Sequence, residues 1–224
     1  MPSHHADTTR RALLKGALLG AAGTTIGAVV GGCTTPERRE TASDPRSVSP
    51  TGGAVLLAYF SRAGENYWNG GRRQLTVGNT QVVAEMIGRL TGCDLHRIEA
   101  ADAYPEDYET TVQRNVREQD TDARPAIANP LASIERYDTI LLGSPIWNVR
   151  APMIMSTFAE GLDFTGKTVH PLTTHAMSGL GATERDYAAL CRGAALGEGL
   201  AVRGEEATGA GPAVESWLRR IGVL

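Results

Sequence analysis

The chain has 224 residues, of which 42% are hydrophobic and 21% charged, and its formal net charge is -3. This is an ordinary globular composition, and the small negative charge argues against a nucleic-acid partner, which would need an excess of Lys and Arg to neutralise phosphates. Three cysteines, Cys33, Cys93 and Cys191, have none of the spacings of a zinc site, so we expect no metal centre. Cys93 and Cys191 either form a disulfide or lie apart as small buried hydrophobes, and the second arrangement is favoured.

Residues 1–33 have the pattern of an export signal. Arg10 and Arg11 directly precede a weakly apolar, Gly- and Ala-rich stretch at residues 17–32, as in twin-arginine signals. The stretch is too short and too rich in glycine to favour a permanent transmembrane helix. An apolar N-terminal helix of the folded domain is the alternative interpretation.

The signal ends in the sequence VVGGC at residues 29–33, which resembles a bacterial lipobox in which Cys33 becomes lipidated. Valine stands three places before the cysteine, where leucine is usual, and a plain signal peptide cut near the same point is the alternative. Residues 34–53 have no apolar period and are interpreted as a flexible tether. We therefore expect an exported, lipid-anchored protein on the outer face of the cytoplasmic membrane or in the periplasm, with its folded domain at residues 54–224.

Within this domain, apolar runs of strand length alternate with segments of helical period. The continuous apolar run at residues 54–60 predicts a central strand covered on both faces. Four more strands are predicted, at residues 94–98, 137–143, 168–174 and 200–202. Helices are predicted from Asn79 to the residue before Gly92, from Pro152, at 184–195, and around Val214, Trp217, Leu218 and Ile221. This alternation predicts a parallel sheet with helices on both faces and ligands beyond the carboxyl ends of the strands.

Three segments are less regular. The strand at 137–143 is expected to end at Ser144-Pro145, and Pro171 inside the fourth strand suggests a local bulge. Residues 104–129 are predicted to form a charged surface helix and an irregular loop.

The first candidate binding loop follows the first strand. Ser61-Arg62-Ala63-Gly64 and Gly78-Asn79-Thr80 supply glycines, hydroxyls and a helix N-terminus, which together can hold an anion. An insertion at residues 65–77 separates the two parts. No Gly-Lys-Ser or Gly-Lys-Thr opens the helix, which excludes a nucleoside-triphosphate loop. A glycine-rich turn with Thr80 as a helix cap is the alternative.

Two more candidate loops follow the third and fourth strands. In Gly143-Ser144-Pro145-Ile146-Trp147-Asn148, the indole of Trp147 can lie against a flat ligand ring, or it can merely pack the loop. Residues 174–181 form a small polar loop that can bring backbone N–H groups to a ring edge, although an ordinary turn has the same composition.

In order and spacing, Tyr59-Phe60-Ser61-Arg62, Gly78-Asn79-Thr80, Gly143 to Trp147, and Thr174-His175 with Ser178-Gly179 resemble the FMN loops of the flavodoxin-like family. The resemblance spans residues 54–224. It implies a three-layer α/β sandwich with a five-stranded parallel sheet in the order 2-1-3-4-5. It also implies non-covalent FMN and electron transfer to an unknown redox partner, either a protein or a small acceptor.

The resemblance also implies roles for individual residues. The phosphate would be held by Ser61, Arg62, Asn79 and Thr80, with Ala63 in the same loop. The isoalloxazine would lie along Pro145, Ile146, Trp147 and Asn148, with Thr174, His175, Ser178 and Gly179 on its far side. Because the 65–77 insertion departs from the family pattern, the role of Gly64 is in doubt, and Tyr67 or Trp68 is expected to form a wall near the flavin. His175 is expected to contact the ring, so no catalytic residue is assigned.

Three other functions compete with an electron carrier. An FMN-dependent NAD(P)H:quinone-type reductase would need a nucleotide site, and the sequence has no Gly-x-Gly-x-x-Gly run. A hydrolase using Ser144 or Ser178 with His175 lacks the Gly-x-Ser-x-Gly elbow. The third competing function is that of a binding module that has lost its flavin.

Overall fold

The computed structural model describes residues 54–224. The predicted export signal, Cys33 and the tether lie outside these residues. In chain order the elements are β1 (Val55–Tyr59), β2 (Gly64–Trp68), β3 (Gly71–Leu75), α1 (Asn79–Thr91), β4 (Asp94–Arg97), α2 (Tyr108–Asp120), β5 (Thr139–Pro145), α3 (Met153–Glu160), β6 (Thr168–His175), α4 (Thr183–Leu190), β7 (Ala195–Leu196), β8 (Leu200–Arg203), a 3₁₀ turn (Gly204–Gly209) and α5 (Gly211–Arg220).

The main sheet is parallel, with strand order β4-β1-β5-β6, and β7 and β8 both pair with the outer side of β6. This confirms the predicted order 2-1-3-4-5, except that two short strands share the fifth position. β1 is central: Leu57 is in register with Leu95 on one side and with Leu141 on the other. The carboxyl ends of β1, β5 and β6 therefore meet at one edge of the sheet.

Helices cover both faces of this sheet, each over its own apolar cluster. α1 and α5 pack on one face through residues that include Val83, Ile87 and Trp217, while α3 and α4 pack on the other through Ile154 and Tyr187. Each of these side chains is nearly or fully buried, and burying one large apolar side chain stabilises a fold by about 1.5–3 kcal/mol. No helix among the described residues is both long and apolar enough to span a bilayer.

The two cysteines of the domain lie in different clusters. Cys191 is buried in the α3 and α4 cluster, and Cys93 packs against the α1 and α5 cluster on the opposite face. Both thiols are free, so the favoured arrangement is the one observed.

β5 continues through Ser144 and Pro145, so its predicted end at Gly143 is wrong. The carbonyl of Gly143 accepts from the Phe60 N–H on the β1 side, whereas the Ile146 N–H donates to Thr174 on the β6 side. Since alternate residues of a parallel strand face opposite neighbours, Pro145 faces the β1 side, beyond the last β1 pair. The missing N–H of Pro145 therefore costs no hydrogen bond in the sheet.

Pro171 has a similar explanation. β6 keeps its register with β5 through Pro171, so this strand has no bulge. The irregularity lies in the segment that pairs with the outer side of β6. There β7 ends opposite Val169 and β8 begins opposite Leu172, so that three residues, 197–199, lie opposite two residues of β6, 170 and 171. The Val169 carbonyl accepts from the Gly197 N–H, which places the missing donor of Pro171 on this interrupted side.

The insertion, for which no secondary structure was predicted, and the end of the fourth predicted helix complete the comparison. The insertion is an antiparallel hairpin, β2 and β3, which turns at Asn69 and Gly70 with φ of 45° and 84°. Positive φ at both central residues is typical of the tight hairpin turn that Asn-Gly sequences favour. α4 ends at Leu190 rather than near residue 195, because Gly193 has a φ of +81° and turns the chain into β7.

Candidate functional site

A cavity of about 450 Å³ opens at the carboxyl ends of β1, β5 and β6. Small-molecule and cofactor sites commonly enclose about 300–1,000 Å³ and lie at this edge of open α/β sheets. We call it the main cavity. Its lining residues are Ser61, Arg62, Asn66, Tyr67, Arg72, Asn79, Thr80, Tyr108, Pro145, Ile146, Trp147, Asn148, Val149, Thr174, His175, Ala176, Met177, Ser178, Gly204 and Glu205.

One end of the main cavity is the N-terminus of α1. Gly78 caps this helix without a side chain, and a Cβ there would overlap Ser61 Oγ and the carbonyl oxygen of Arg62. The close approach lets Ser61 Oγ accept a hydrogen bond from the Gln81 N–H at 3.1 Å. The Ser61 hydroxyl proton remains free to donate, and the preceding N–H groups of α1 have no partner within the helix. This end can therefore bind an anion.

Two buried hydroxyls lie beside that end. Thr80 Oγ1 and Thr174 Oγ1 are 2.7 Å apart, which joins the start of α1 to the end of β6. Since only one of the two hydroxyl protons is used between them, the other can donate to a ligand. The pair thus adds a donor to the anion-binding end.

Arg62 lines the main cavity, but its guanidinium is already engaged. Nη1 donates to the carbonyl oxygens of Pro105 at 2.9 Å and Glu106 at 3.0 Å, and Nη2 donates to that of Glu65. Arg62 therefore ties the base of the hairpin to the loop before α2. Its expected role as the direct phosphate ligand is accordingly limited to Nε, which is buried and has no partner among the described residues.

The hairpin forms one wall of the main cavity and is fastened at its tip and through β3. At its tip the Asn69 N–H donates to Glu205 Oε1 at 3.0 Å. On β3 the guanidinium of Arg72 lies 3.6 Å from the centre of the Tyr108 ring and is 2.9 Å from Glu109. Tyr67 lines the cavity, whereas Trp68 does not and instead packs beneath Arg73.

Trp147 gives the opposite end an aromatic wall. Its ring meets Phe60 edge-on at 5.7 Å and Tyr104 at 5.1 Å between ring centres. Its backbone pairs with Arg150 across a turn, in which Trp147 N donates to the Arg150 carbonyl at 2.8 Å. These contacts fix the indole in the wall of the main cavity.

His175 and Glu205 are two further side chains of the main cavity, and their protonation states are shifted by their surroundings. Burial lowers the pKa of His175 below its ordinary value, and the positive charge of Arg203 lowers it further, against smaller opposing effects of Glu205 and Glu206. Burial alone raises the pKa of Glu205, but hydrogen bonds from backbone N–H groups, together with the positive charge of Arg203, outweigh this and hold it below its ordinary value. At neutral pH the imidazole is thus uncharged and the carboxylate charged.

Every residue that was expected to contact the cofactor lines the main cavity, except Ala63 and Gly179. The carbonyl of Gly179 accepts from Thr173 Oγ1 at 2.9 Å, which directs this residue into the turn. Sequence reasoning missed the contributions of Asn66 and Arg72 from the hairpin, of Tyr108 from α2 and of Glu205 from the 3₁₀ turn. Only the hairpin had a signal in the sequence, its Asn-Gly pair.

The hydrolase arrangement of Ser144 with His175 is not formed. Ser144 is fully buried in β5, and Nδ1 of His175 is buried without a hydrogen-bond partner among the described residues. A serine nucleophile requires a base within hydrogen-bond reach, which Ser144 lacks here.

The comparisons with known proteins agree with this architecture. The family model for flavodoxins matches residues 74–221. A Bacteroides uniformis protein assigned as a flavoprotein is 30% identical with a TM-score of 0.61, covering 75% of this chain and 99% of that chain. One from Bacteroides eggerthii is 29% identical with a TM-score of 0.60, covering 77% and 99%.

A flavoprotein of Lactobacillus acidophilus in complex with FMN shares the fold at 17% identity, with a TM-score of 0.51 and coverage of 74% of this chain and 98% of that chain. No curated protein matches the chain. The family model spans most of the folded domain, and the Bacteroides uniformis protein is matched over nearly its whole length. The chain therefore belongs to the flavodoxin family.

Proposed function

We propose that this protein binds FMN non-covalently in the main cavity and transfers electrons through it. The observation that carries the proposal is the composition of that cavity: a helix N-terminus with free hydroxyl donors from the α1 side of the sheet and the Trp147 indole, which packs with the cluster on the other side. FMN has matching parts, a phosphate and a flat ring system. The FMN complex of the Lactobacillus acidophilus flavoprotein, which shares the fold, supports the choice of flavin.

The phosphate would be held by α1 and its neighbours. The helix N-terminus offers unpaired N–H groups and a partial positive charge, and Ser61 and Thr80 add hydroxyl donors. The Glu205 side chain is 7% exposed and charged, and its Oε2 has no hydrogen-bond partner among the described residues, with Arg203 Nε 3.9 Å away. We therefore expect the phosphate to lie toward Ser61 and away from this carboxylate.

The ring would lie along Trp147, with the loop after β6 on its other side. FMN supplies one- and two-electron chemistry when bound, and the protein contributes position, exclusion of water and hydrogen bonds. Uncharged His175 can pack against a ring without adding positive charge. No side chain needs to act as a nucleophile.

We further propose that the protein is exported by the twin-arginine route and anchored by a lipid on Cys33, on the outer face of the cytoplasmic membrane or in the periplasm. Arg10-Arg11 and the sequence VVGGC at residues 29–33 support this. The route carries folded proteins, so FMN can be loaded before export. Its redox partner, a protein or a small acceptor, would then be met outside the cytoplasm.

An absorption spectrum of the purified protein tests the cofactor directly. We expect a flavin spectrum, and release of FMN rather than riboflavin or FAD when the protein is denatured. A colourless protein that also fails to take up added FMN would contradict the proposal. Turnover of NADH or NADPH by the FMN-loaded protein would instead favour a reductase.

A further inference from the structure

A second cavity, of about 330 Å³, lies between α2 and the Trp147 turn, and we call it the α2 cavity. One wall is a single face of α2, made by residues that do not line the main cavity: Thr111, Val112, Asn115 and Val116. The rest of its lining is shared with the main cavity: Arg62, Asn66, Tyr108, Ile146, Trp147 and Asn148. The two cavities therefore adjoin, with the indole of Trp147 in the wall of both.

The α2 cavity is suited to an uncharged ligand. Its lining contains no carboxylate and no lysine, and its single cationic group, Arg62, donates through Nη1 and Nη2 to carbonyl oxygens, which leaves only Nε without a partner among the described residues. Val112 and Val116 are 37% and 39% exposed, so the cavity reaches solvent along an apolar rim. A cation placed there would meet no carboxylate, and an anion would meet one guanidinium whose charge Glu65, Glu106 and Asp107 already offset.

Two donors in the wall have no hydrogen-bond partner among the described residues: Arg62 Nε, which is buried, and Asn115 Nδ2. Asn115 is only 3% exposed, and its Oδ1 accepts from Gln119 Nε2 at 3.3 Å. Its Nδ2 is not among the fully buried atoms that lack a partner, so it can reach the cavity. An unused amide donor in a cavity wall favours a ligand bearing an acceptor oxygen.

We propose that the α2 cavity binds a flat, uncharged aromatic molecule of one or two fused rings that carries a carbonyl oxygen, which accepts from Asn115 Nδ2. A cavity of about 150 Å³ holds benzene, so twice that volume suits two fused rings. That this ligand lies beside a flavin rests on the proposed function. The cavity, the donor and the test below do not depend on it.

The test uses two probes of one shape on the full chain, both as purified and after incubation with FMN. 1-Naphthamide is uncharged and has a carbonyl acceptor, whereas 1-naphthoate carries a charge on the same rings. Calorimetric titration should detect 1-naphthamide binding, with 1-naphthoate weaker by about tenfold or more because its charge is desolvated. Equal affinity for the two probes, or no binding of either, would overturn the proposal.

Variants on α2 locate the site. Val116→Trp fills the cavity from an exposed helix position and should weaken 1-naphthamide binding by about tenfold or more. Gln113→Trp, at an exposed position on α2 outside the cavity, should bind within about twofold of the wild type. Asn115→Leu should weaken binding about fivefold, the contribution of one hydrogen bond. If Val116→Trp binds like Gln113→Trp, the ligand lies elsewhere and the inference is wrong.

FMN titration keeps the two proposals apart. Val116→Trp should retain wild-type FMN affinity, since Val116 does not line the main cavity. Displacement of FMN by 1-naphthamide would mean that the flavin itself fills the α2 cavity, which contradicts this inference but not the proposed function. Failure of FMN to bind any variant, with 1-naphthamide still bound, would contradict only the proposed function.

Discussion

The side-chain amide of Gln119 on α2 binds the backbone of Trp147: Nε2 donates to the Trp147 carbonyl oxygen at 3.0 Å. The same amide accepts from Asn148 Nδ2 at 3.1 Å. The turn it holds is strained, because Asn148 and Val149 have φ of 49° and 63°, and a β-branched residue rarely adopts the left-handed region. Gln119 thus stabilises the conformation that presents the indole to both cavities.

We expect Gln119→Leu to weaken FMN binding about fivefold and to change the visible circular dichroism of the bound flavin, since two hydrogen bonds to the turn are lost. Gln113→Leu, on the same helix but without contact to the turn, is the control and should match the wild type. Flavin titration and visible spectra measure both effects. A loss of thermal stability with unchanged flavin spectrum and affinity would show that Gln119 is merely structural.

Replacing the indole tests the aromatic wall itself. Trp147→Ala should weaken FMN binding about tenfold, the contribution of one good aromatic pair, and shift the visible spectrum, whereas Trp147→Phe should keep most of the affinity. Trp68→Ala is the matched control, because Trp68 contacts Arg73 and lines neither cavity. An affinity and spectrum unchanged in Trp147→Ala would remove Trp147 from the ring site.

Gly78 tests the anion-binding end. The Cβ of Gly78→Ala would overlap Ser61 Oγ and the Arg62 carbonyl, and such overpacking typically destabilises a protein by about 1–3 kcal/mol. We expect the variant to lose more affinity for FMN than for riboflavin, which lacks the phosphate. Gly209→Ala, where an added Cβ meets nothing within 4 Å, is the control in urea unfolding and flavin titration. Equal losses for the two flavins would argue against a phosphate at this end.

The sequence was informative where function depends on neighbouring residues in the chain. The apolar run of β1 and the helical period after Asn79 predicted a parallel sheet covered by helices, and the resemblance carried by the motifs, among them that around Trp147, implied the strand order and most of the main cavity. These features are local: burial on both faces requires a continuous apolar run, and a glycine at 78 lets α1 begin against Ser61.

Such local patterns cannot predict contacts between residues that are far apart in the sequence. Nothing in the sequence indicates that Arg62 donates to carbonyls at 105 and 106, or that Glu205 accepts from the hairpin tip at Asn69. The hairpin was missed because β3 is almost wholly exposed and lacks the alternation of a half-buried strand. Its turn, Asn69-Gly70, was the available signal.

The membrane anchor can be tested through Cys33. Cys33→Ser should move the protein from the membrane fraction to the soluble fraction, because serine cannot form the thioether that the lipobox implies. Cys93→Ser is the matched control and should stay with the membrane. Fractionation followed by immunoblotting measures both, and replacing Arg10 and Arg11 by lysine should block export. Membrane retention of Cys33→Ser would contradict the lipid anchor.

The pKa of His175 predicts how stability depends on pH. Burial and Arg203 lower it in the folded protein, so below about pH 6.5 the unfolded chain binds the proton more readily and unfolding is favoured. The free energy of unfolding should thus decrease when the pH is lowered from about 7.5 to about 5.5, and it should decrease less for His175→Gln than for the wild type. Some dependence should remain, because burial also lowers the pKa of His96. Urea unfolding at both pH values measures the difference, and identical losses in wild type and variant would show that His175 titrates normally.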